Sequence, residues 1–267
     1  MSEPSIQKTS NDCINSRYRD SELERQREKD LIRLIEFLPK GLKSVLEIGA
    51  RSGYHTRLLT KYFESVTALD LECPNFKIDR VVTVKGDTTC LNFQDNAFDC
   101  VFCTEVLEHI SEVEKACYEI LRVAKQYVII GVPYKQDIRV GRTTCLSCGL
   151  ITPPWGHVNT FDELRLKDLF RMSAVELVSY VGMAKSKTNC LSVWLLDLAG
   201  NPRGYYNQSE PCVHCGKKLV PPTNRNIFGK ICSKIASWLT RAQACFSDPA
   251  PIWLHMVFKK AAHDRLR

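Results

Sequence analysis

Apolar residues recur with two periods along this chain, and the periods alternate. Leu23, Leu31, Leu34, Ile35 and Leu38 fall near a spacing of 3.6, predicting a helix over residues 21–38 that Pro39-Lys40-Gly41 ends. Short apolar runs at 44–49, 66–70, 81–84, 99–103 and 126–132 read as buried strands. Helical patterns at 53–63 and 111–124 separate some of them, the second with Ser111 as N-cap and Glu114 three residues on. Strands alternating with helices predict a parallel sheet covered on both faces. After Pro133 the alternation breaks. A glycine- and cysteine-rich loop (141–157) is followed by a helix (161–170), a strand (175–181), and an insertion (201–226). An amphipathic segment (227–242) and a closing strand (253–258) come last.

Length and composition narrow the class. A chain of 267 residues, 44% hydrophobic and 25% charged, suits one large α/β domain with an appendage. The expected organisation is a flexible N-terminus (1–20), a core (21–200), the insertion (201–226), the returning helix and strand (227–260), and a tail (261–267). No apolar run reaches the roughly 18–20 residues of a membrane span. The first residues lack a basic-then-apolar leader, so a cytoplasmic location is expected. The net charge of +7 sits at the C-terminal end: from residue 201 onward there are 11 Lys and Arg against 3 Asp and Glu. Such a region suits phosphate, an anionic sugar, nucleic acid or a membrane surface, or is a solvated face. Thirteen cysteines in a cytosolic chain suggest buried thiols plus a metal site.

The segment Glu47-Ile-Gly49-Ala-Arg-Ser-Gly53 joins the first strand to a helix. Glycines there let backbone approach a ligand, and the helix N-terminus offers free N–H groups. Asp70, ending the second strand, is placed to hold both ribose hydroxyls. A dinucleotide fingerprint would need glycine where Arg51 stands, and Glu47 would repel a pyrophosphate. Glu47 suits instead the cationic amino acid end of S-adenosylmethionine. LEIGARSG, VTALD, KGDTTCLNF and FDCVFCTEVLEHI follow one another in order. As a set they resemble the motifs of class I S-adenosylmethionine-dependent methyltransferases of the small-molecule O-/C-methyltransferase group. The resemblance covers about residues 44–133. It implies a Rossmann-like, seven-stranded, mostly parallel sheet whose last strand is antiparallel. It further implies that Glu47, Gly49 and Gly53 hold the methionine portion and Asp70 the ribose. Asp87 would take the adenine amino group, with Thr88 beside the ring, and Thr104 joins the cofactor-binding set. Arg51 replaces a usual glycine, so its side chain must point away from the cofactor.

Glu105, Glu108 and His109 fall at the C-terminal edge of the sheet, where open α/β folds bind ligands. His157 follows the fifth strand. Two carboxylates and two imidazoles make a candidate Mg²⁺ or Mn²⁺ site with open positions for hydroxyls. Small-RNA 2′-O-methyltransferases use a similar set. The plainer alternative gives His109 or His157 the role of general base, with Glu105 beside them; segments like TEVLEHI are widespread in the group without a metal. Cys145-x-x-Cys148-Gly149 and Cys212-x-x-Cys215-Gly216 have the zinc-knuckle shape and together supply four thiolates for a structural Zn²⁺. His157 and His214 are alternative ligands; two free pairs or a redox disulfide are the other readings. Cys90, Cys100, Cys103 and Cys117 read as inert core thiols.

In the segment 227–242, Phe228, Ile231, Ile235, Trp238 and Leu239 line one face and Lys230, Lys234 and Arg241 lie elsewhere. The default is a helix packed on the sheet; the alternatives are peripheral membrane contact and a lid on the substrate pocket. The combined expectation is O-methylation of a sugar or small metabolite. The alternatives are metal-assisted RNA 2′-O-methylation, although no RNA-binding module is recognisable, and a zinc-stabilised binding protein without activity.

Overall fold

The computed structural model describes residues 21–185, 188–222 and 227–261. The expected flexible N-terminus (1–20), all of the tail but Ala261, and residues 223–226 of the insertion lie outside the described residues. The elements are α1 (Glu22–Phe37), β1 (Ser44–Ile48), α2 (Tyr54–Leu59), β2 (Ser65–Asp70), β3 (Val81–Lys85), β4 (Phe98–Thr104), α3 (Val113–Val123) and β5 (Ala124–Pro133). There follow β6 (Thr143–Thr144), β7 (Ile151–Thr152), α4 (Glu163–Leu169), β8 (Ser173–Ala184), α5 (Cys190–Leu198), α6 (Ile227–Phe246) and β9 (Ala250–Lys260).

Seven strands form one sheet in the order β3-β2-β1-β4-β5-β9-β8. β1 to β5 run parallel, and β9 is antiparallel to both of its neighbours. The alternation of strands and helices correctly predicts the parallel part of this sheet, and the Rossmann-like arrangement of seven strands with an antiparallel last one is what the family resemblance implies. Both faces are covered, as near-continuous apolar strands require. Leu31, Leu34, Leu58, Leu59 and Phe63 pack with Val45, Phe102 and Ile129 on one side. Val113, Ala116, Ile120, Phe161, Leu166 and Phe170 pack with Leu46, Val101 and Val128 on the other. The strand order reverses between β1 and β4, so their C-terminal ends open a crevice.

Several local expectations change. α3 starts at Val113 with Glu112 at the N-cap position and no side-chain cap, so Ser111 does not cap it. The preceding turn is committed elsewhere: the Asn159 amide donates to the carbonyls of Leu107 and Ile110. α2 stops at Leu59, because the next residues close i→i+3 turns. Cys100, Cys103 and Cys117 are buried, but Cys90 is exposed in a turn. α5 is a helix that the pattern of apolar positions does not predict. Its sequence, CLSVWLLDL, is apolar on every side and gives no helical period. α6 forms, but Phe228, Ile231, Ile235 and Trp238 face solvent; its small residues are the buried ones. The default of an apolar face packed on the sheet does not hold.

Candidate functional site

The loop after β1 is fixed by the end of β2. The N–H groups of Gly49 and Ala50 both donate to the Leu69 carbonyl, at 2.9 and 3.2 Å. Gly49 and Gly53 adopt φ of +83° and +76°. A Cβ at Gly49 would overlap the Val106 side chain, and one at Gly53 the Phe76 ring. Glycine is therefore required at both by conformation and by space. Glu47 is buried below this loop and accepts from the Thr56 hydroxyl at 2.5 Å. Burial pushes its carboxyl up to about 7, opposed by that hydrogen bond and reinforced by the charge of Asp70.

Asp70 lies beside the loop. One carboxylate oxygen accepts from the Arg51 N–H at 2.9 Å, the other from the Leu71 N–H at 2.8 Å. A carboxylate has about four acceptor positions, so each oxygen keeps capacity for a hydroxyl. The Gly86 N–H donates to the Asp70 carbonyl at 2.9 Å and brings the loop after β3 alongside. There Asp87 accepts from the Thr89 N–H and hydroxyl, both at 2.8 Å, and Thr88 is buried. Thr104 is buried at the end of β4. The seven residues expected at a cofactor site thus line the carboxyl ends of β1, β2, β3 and β4. Arg51 has φ +40° and sends its guanidinium to Glu210 at 3.5 Å, away from β1.

Past β4 the four expected metal or catalytic residues separate into three and one. Ligand atoms of Glu108, His109 and His157 all lie within 4.8 Å of one another. The two imidazoles meet edge to face with centroids 4.6 Å apart. Glu105 instead turns to Arg27 of α1 at 3.2 Å. Its backbone is left-handed, φ +57°, a conformation that costs a non-glycine residue about 1–3 kcal/mol. Both Glu108 oxygens are buried, with no hydrogen-bond partner among the described residues. Burial and the neighbouring Glu105 charge raise its carboxyl well above the usual range. Burial also lowers His109 to about 4, helped by Arg51, and lowers His157 to about 4, helped by His109. Both rings are therefore neutral at pH 7. His157 Nδ1 lies 2.6 Å from Gln136 Oε1. That oxygen only accepts, so Nδ1 carries the proton and Nε2 presents a lone pair.

The cysteine pairs meet in one cluster. Sγ atoms of Cys145 and Cys215 are 3.7 Å apart, as are those of Cys148 and Cys212, and all four lie within 4.8 Å. Four thiolates on one tetrahedral Zn²⁺ at about 2.3 Å would stand about 3.8 Å apart. The knuckles match in detail. Gly149 and Gly216 are left-handed and return N–H bonds to the carbonyls of Cys145 and Cys212, at 2.8 and 2.9 Å. Burial alone would raise Cys212; the Thr152 hydroxyl and the His214 and Cys215 N–H groups hold it at about 6. His214 is no ligand: its Nε2 donates to the Ile151 carbonyl at 3.0 Å. His157 belongs to the other cluster.

This cysteine unit roofs the site. Besides Arg51–Glu210, Gln208 accepts from the Trp155 N–H, and the Trp155 and Tyr205 rings stand 4.6 Å apart. Other site residues carry no local motif. Glu24 and Arg27 are almost fully buried and paired at 2.8 Å, and Arg27 lies over the Trp253 ring. Their one sequence signal is position. They continue the 24–27–31–34 stripe of α1 inward, where a charged residue needs a buried partner.

Residues 46–130 match the family model described as a methyltransferase domain. The chain is 30% identical over 108 residues to the sterol 24-C-methyltransferase of Aspergillus fumigatus, covering 36% of this chain and 28% of that protein. It is 33% identical over 86 residues to the demethylmenaquinone methyltransferase of Renibacterium salmoninarum, covering 30% of this chain and 36% of that protein. The chain thus spans about a third of the length of these curated relatives. Among solved structures, the N-methyltransferase NodS of Bradyrhizobium japonicum WM9 shares the fold. The TM-score is 0.51 at 14% identity, over 91% of this chain and 99% of that one.

Proposed function

We propose, from the premise that this chain carries a class I S-adenosylmethionine-dependent methyltransferase domain, that it methylates a hydroxyl of a sugar or other small metabolite. The observation that carries this reading is a juxtaposition. Neutral imidazoles of His109 and His157 sit on the sheet edge that also holds the Gly49–Gly53 loop and Asp70. S-adenosylmethionine, when bound, supplies an electrophilic methyl carbon on a cationic sulfur. In this reading Glu47 faces the ammonium end, Asp70 takes the ribose hydroxyls, and Asp87 and Thr88 hold the adenine. Trp155 and Tyr205 form a wall on which a ring can stack. The lone pair of an imidazole would take the proton of the acceptor hydroxyl; the C–O bond would form as the methyl–sulfur bond breaks, with its electron pair going to sulfur and S-adenosylhomocysteine leaving as a neutral thioether. Holding the oxygen in line, about 3 Å from the methyl carbon, carries most of the acceleration. The two curated relatives are named for sterol and demethylmenaquinone, so lipid acceptors belong in the same screen. The test is transfer of labelled methyl from S-adenosylmethionine to sugar, lipid and RNA hydroxyls. Labelled hydroxyl product that disappears in His157→Gln supports the reading; transfer only to carbon or nitrogen contradicts it.

A second reading rests on Glu108. A buried carboxyl whose oxygens have no hydrogen-bond partner among the described residues, facing two neutral imidazoles, is a donor set that, once its proton is displaced, suits Mn²⁺ better than Mg²⁺. Glu108, His109 and His157 would hold such a cation, whose chemistry would be to lower the pKa of a bound acceptor hydroxyl. Glu105 is not among the ligands. For the four cysteines we infer a structural Zn²⁺, a reading that the sulfur spacing supports.

A further inference from the structure

α6 presents two contrasting faces. Gly229, Cys232, Ser233 and Ala236 are buried. They seat the helix against α5, where the Ser192 hydroxyl donates to the Ala236 carbonyl at 3.2 Å and the Asn189 amide to Gln243 at 2.8 Å. The large apolar side chains are on the other side. Phe228, Ile231, Ile235 and Trp238, three or four residues apart, are 45–69% exposed. On α5, Leu191, Trp194 and Leu198 repeat the pattern, 47–57% exposed. Single exposed apolar residues need no explanation, but two stripes on adjoining helices do.

Charge says what covers them. α6 has no Asp or Glu in its twenty residues. Lys230, Lys234 and Arg241 are exposed. At 100° per residue they fall on one strip directly beside that of Ile227, Ile231 and Trp238. Apolar stripe, tryptophan and basic border are the attributes of a helix lying in the plane of a membrane interface. No described helix is long and apolar enough to cross a membrane.

We propose that the α5–α6 pair docks on the surface of an anionic lipid bilayer. Phe228, Ile231, Ile235 and Trp238 enter the headgroup boundary, and Lys230, Lys234 and Arg241 meet lipid phosphates. The pair is tied to the cysteine unit that roofs the site: Asp197 of α5 pairs with Arg142, and the Asn201 amide donates to Thr144. Docking does not depend on the identity of the methyl acceptor, and its test needs no activity.

The experiment is co-sedimentation of the full chain with vesicles of phosphatidylcholine alone or mixed with phosphatidylglycerol, at low and high salt. The chain pellets with the anionic vesicles, and high salt releases it. Phe228→Ala with Trp238→Ala weakens partitioning at least about tenfold. Lys230→Glu with Lys234→Glu weakens it about twenty-five-fold or more, at roughly fivefold per basic residue. All four side chains are exposed, so circular dichroism melting temperatures stay at the wild-type value. Equal pelleting with neutral and anionic vesicles overturns the proposal. So does no pelleting, including the case in which sedimentation velocity shows a second copy covering the stripe.

Discussion

Glu108 concentrates the electrostatic cost of the site, because both of its oxygens are buried with no partner among the described residues. Its raised pKa means that the folded protein holds a proton there which the unfolded chain releases above about pH 4.3. Stability at this residue therefore falls as pH rises. Glu108→Gln removes the titrating group and raises the melting temperature at pH 8. If the cluster takes Mn²⁺, that ion stabilises the wild type and leaves Glu108→Gln unmoved. A thermal shift in both proteins would contradict the ligand assignment. His109 and His157 act in the opposite direction. Each has its folded pKa depressed to about 4, below the unfolded 6.5. The unfolded state then binds more protons between pH 6.5 and 4, and stability is lost as pH falls through that window. The loss over the whole window is about 3–4 kcal/mol per ring at most. Urea unfolding at pH 7 and pH 5 checks this: a double variant His109→Gln/His157→Gln should lose much of the acid sensitivity. Glu47, Gly49, Gly53 and Asp70 were legible in the sequence, because a strand, a glycine turn and a terminal carboxylate have fixed spacing. The departure of Glu105 toward Arg27 was not, because that partner lies on α1, far away in the chain, and no local spacing records it.

Among the elements, the two cysteine knuckles have little packing to join them. Their core is small, comprising Cys145, Cys212 and Leu219 with Tyr206 against them. A unit of that size needs a staple. Purified protein should carry one Zn²⁺ per chain, and Cys148→Ser or Cys215→Ser should release it and expose the 201–222 segment to protease. Metal-free protein with the same protease resistance would contradict a structural ion. The paired Cys-x-x-Cys-Gly motifs announced this cluster, since four thiols and two turn glycines leave few other uses. The helix pair behind it was harder to read. α5 has no polar face to mark a period. α6 has a clear period, but periodicity tells which residues share a face and not whether that face points in or out. The buried small residues Gly229, Cys232, Ser233 and Ala236 settle the orientation of α6, and their role depends on α5 being there.

At the scale of the whole molecule, one sheet edge gathers everything the proposed reaction needs. The β1 and β3 loops bond to the end of β2, Val106 after β4 packs against Gly49, and Glu210 of the insertion reaches Arg51. The sheet was legible because buried parallel strands and their helices leave strong periods. The roof was not, since it is assembled from segments more than fifty residues apart, such as Trp155 and Gln208. The central claim is that this edge binds S-adenosylmethionine. Isothermal titration calorimetry of the full chain with S-adenosylmethionine tests it most directly. The account predicts saturable one-to-one binding. Asp70→Ala weakens that binding by about 1–3 kcal/mol through loss of the ribose hydrogen bonds. Affinity also rises as pH increases through about 7, where Glu47 loses its proton and can face the ammonium group. No heat of binding at millimolar ligand, or an affinity that Asp70→Ala leaves unchanged, would contradict it.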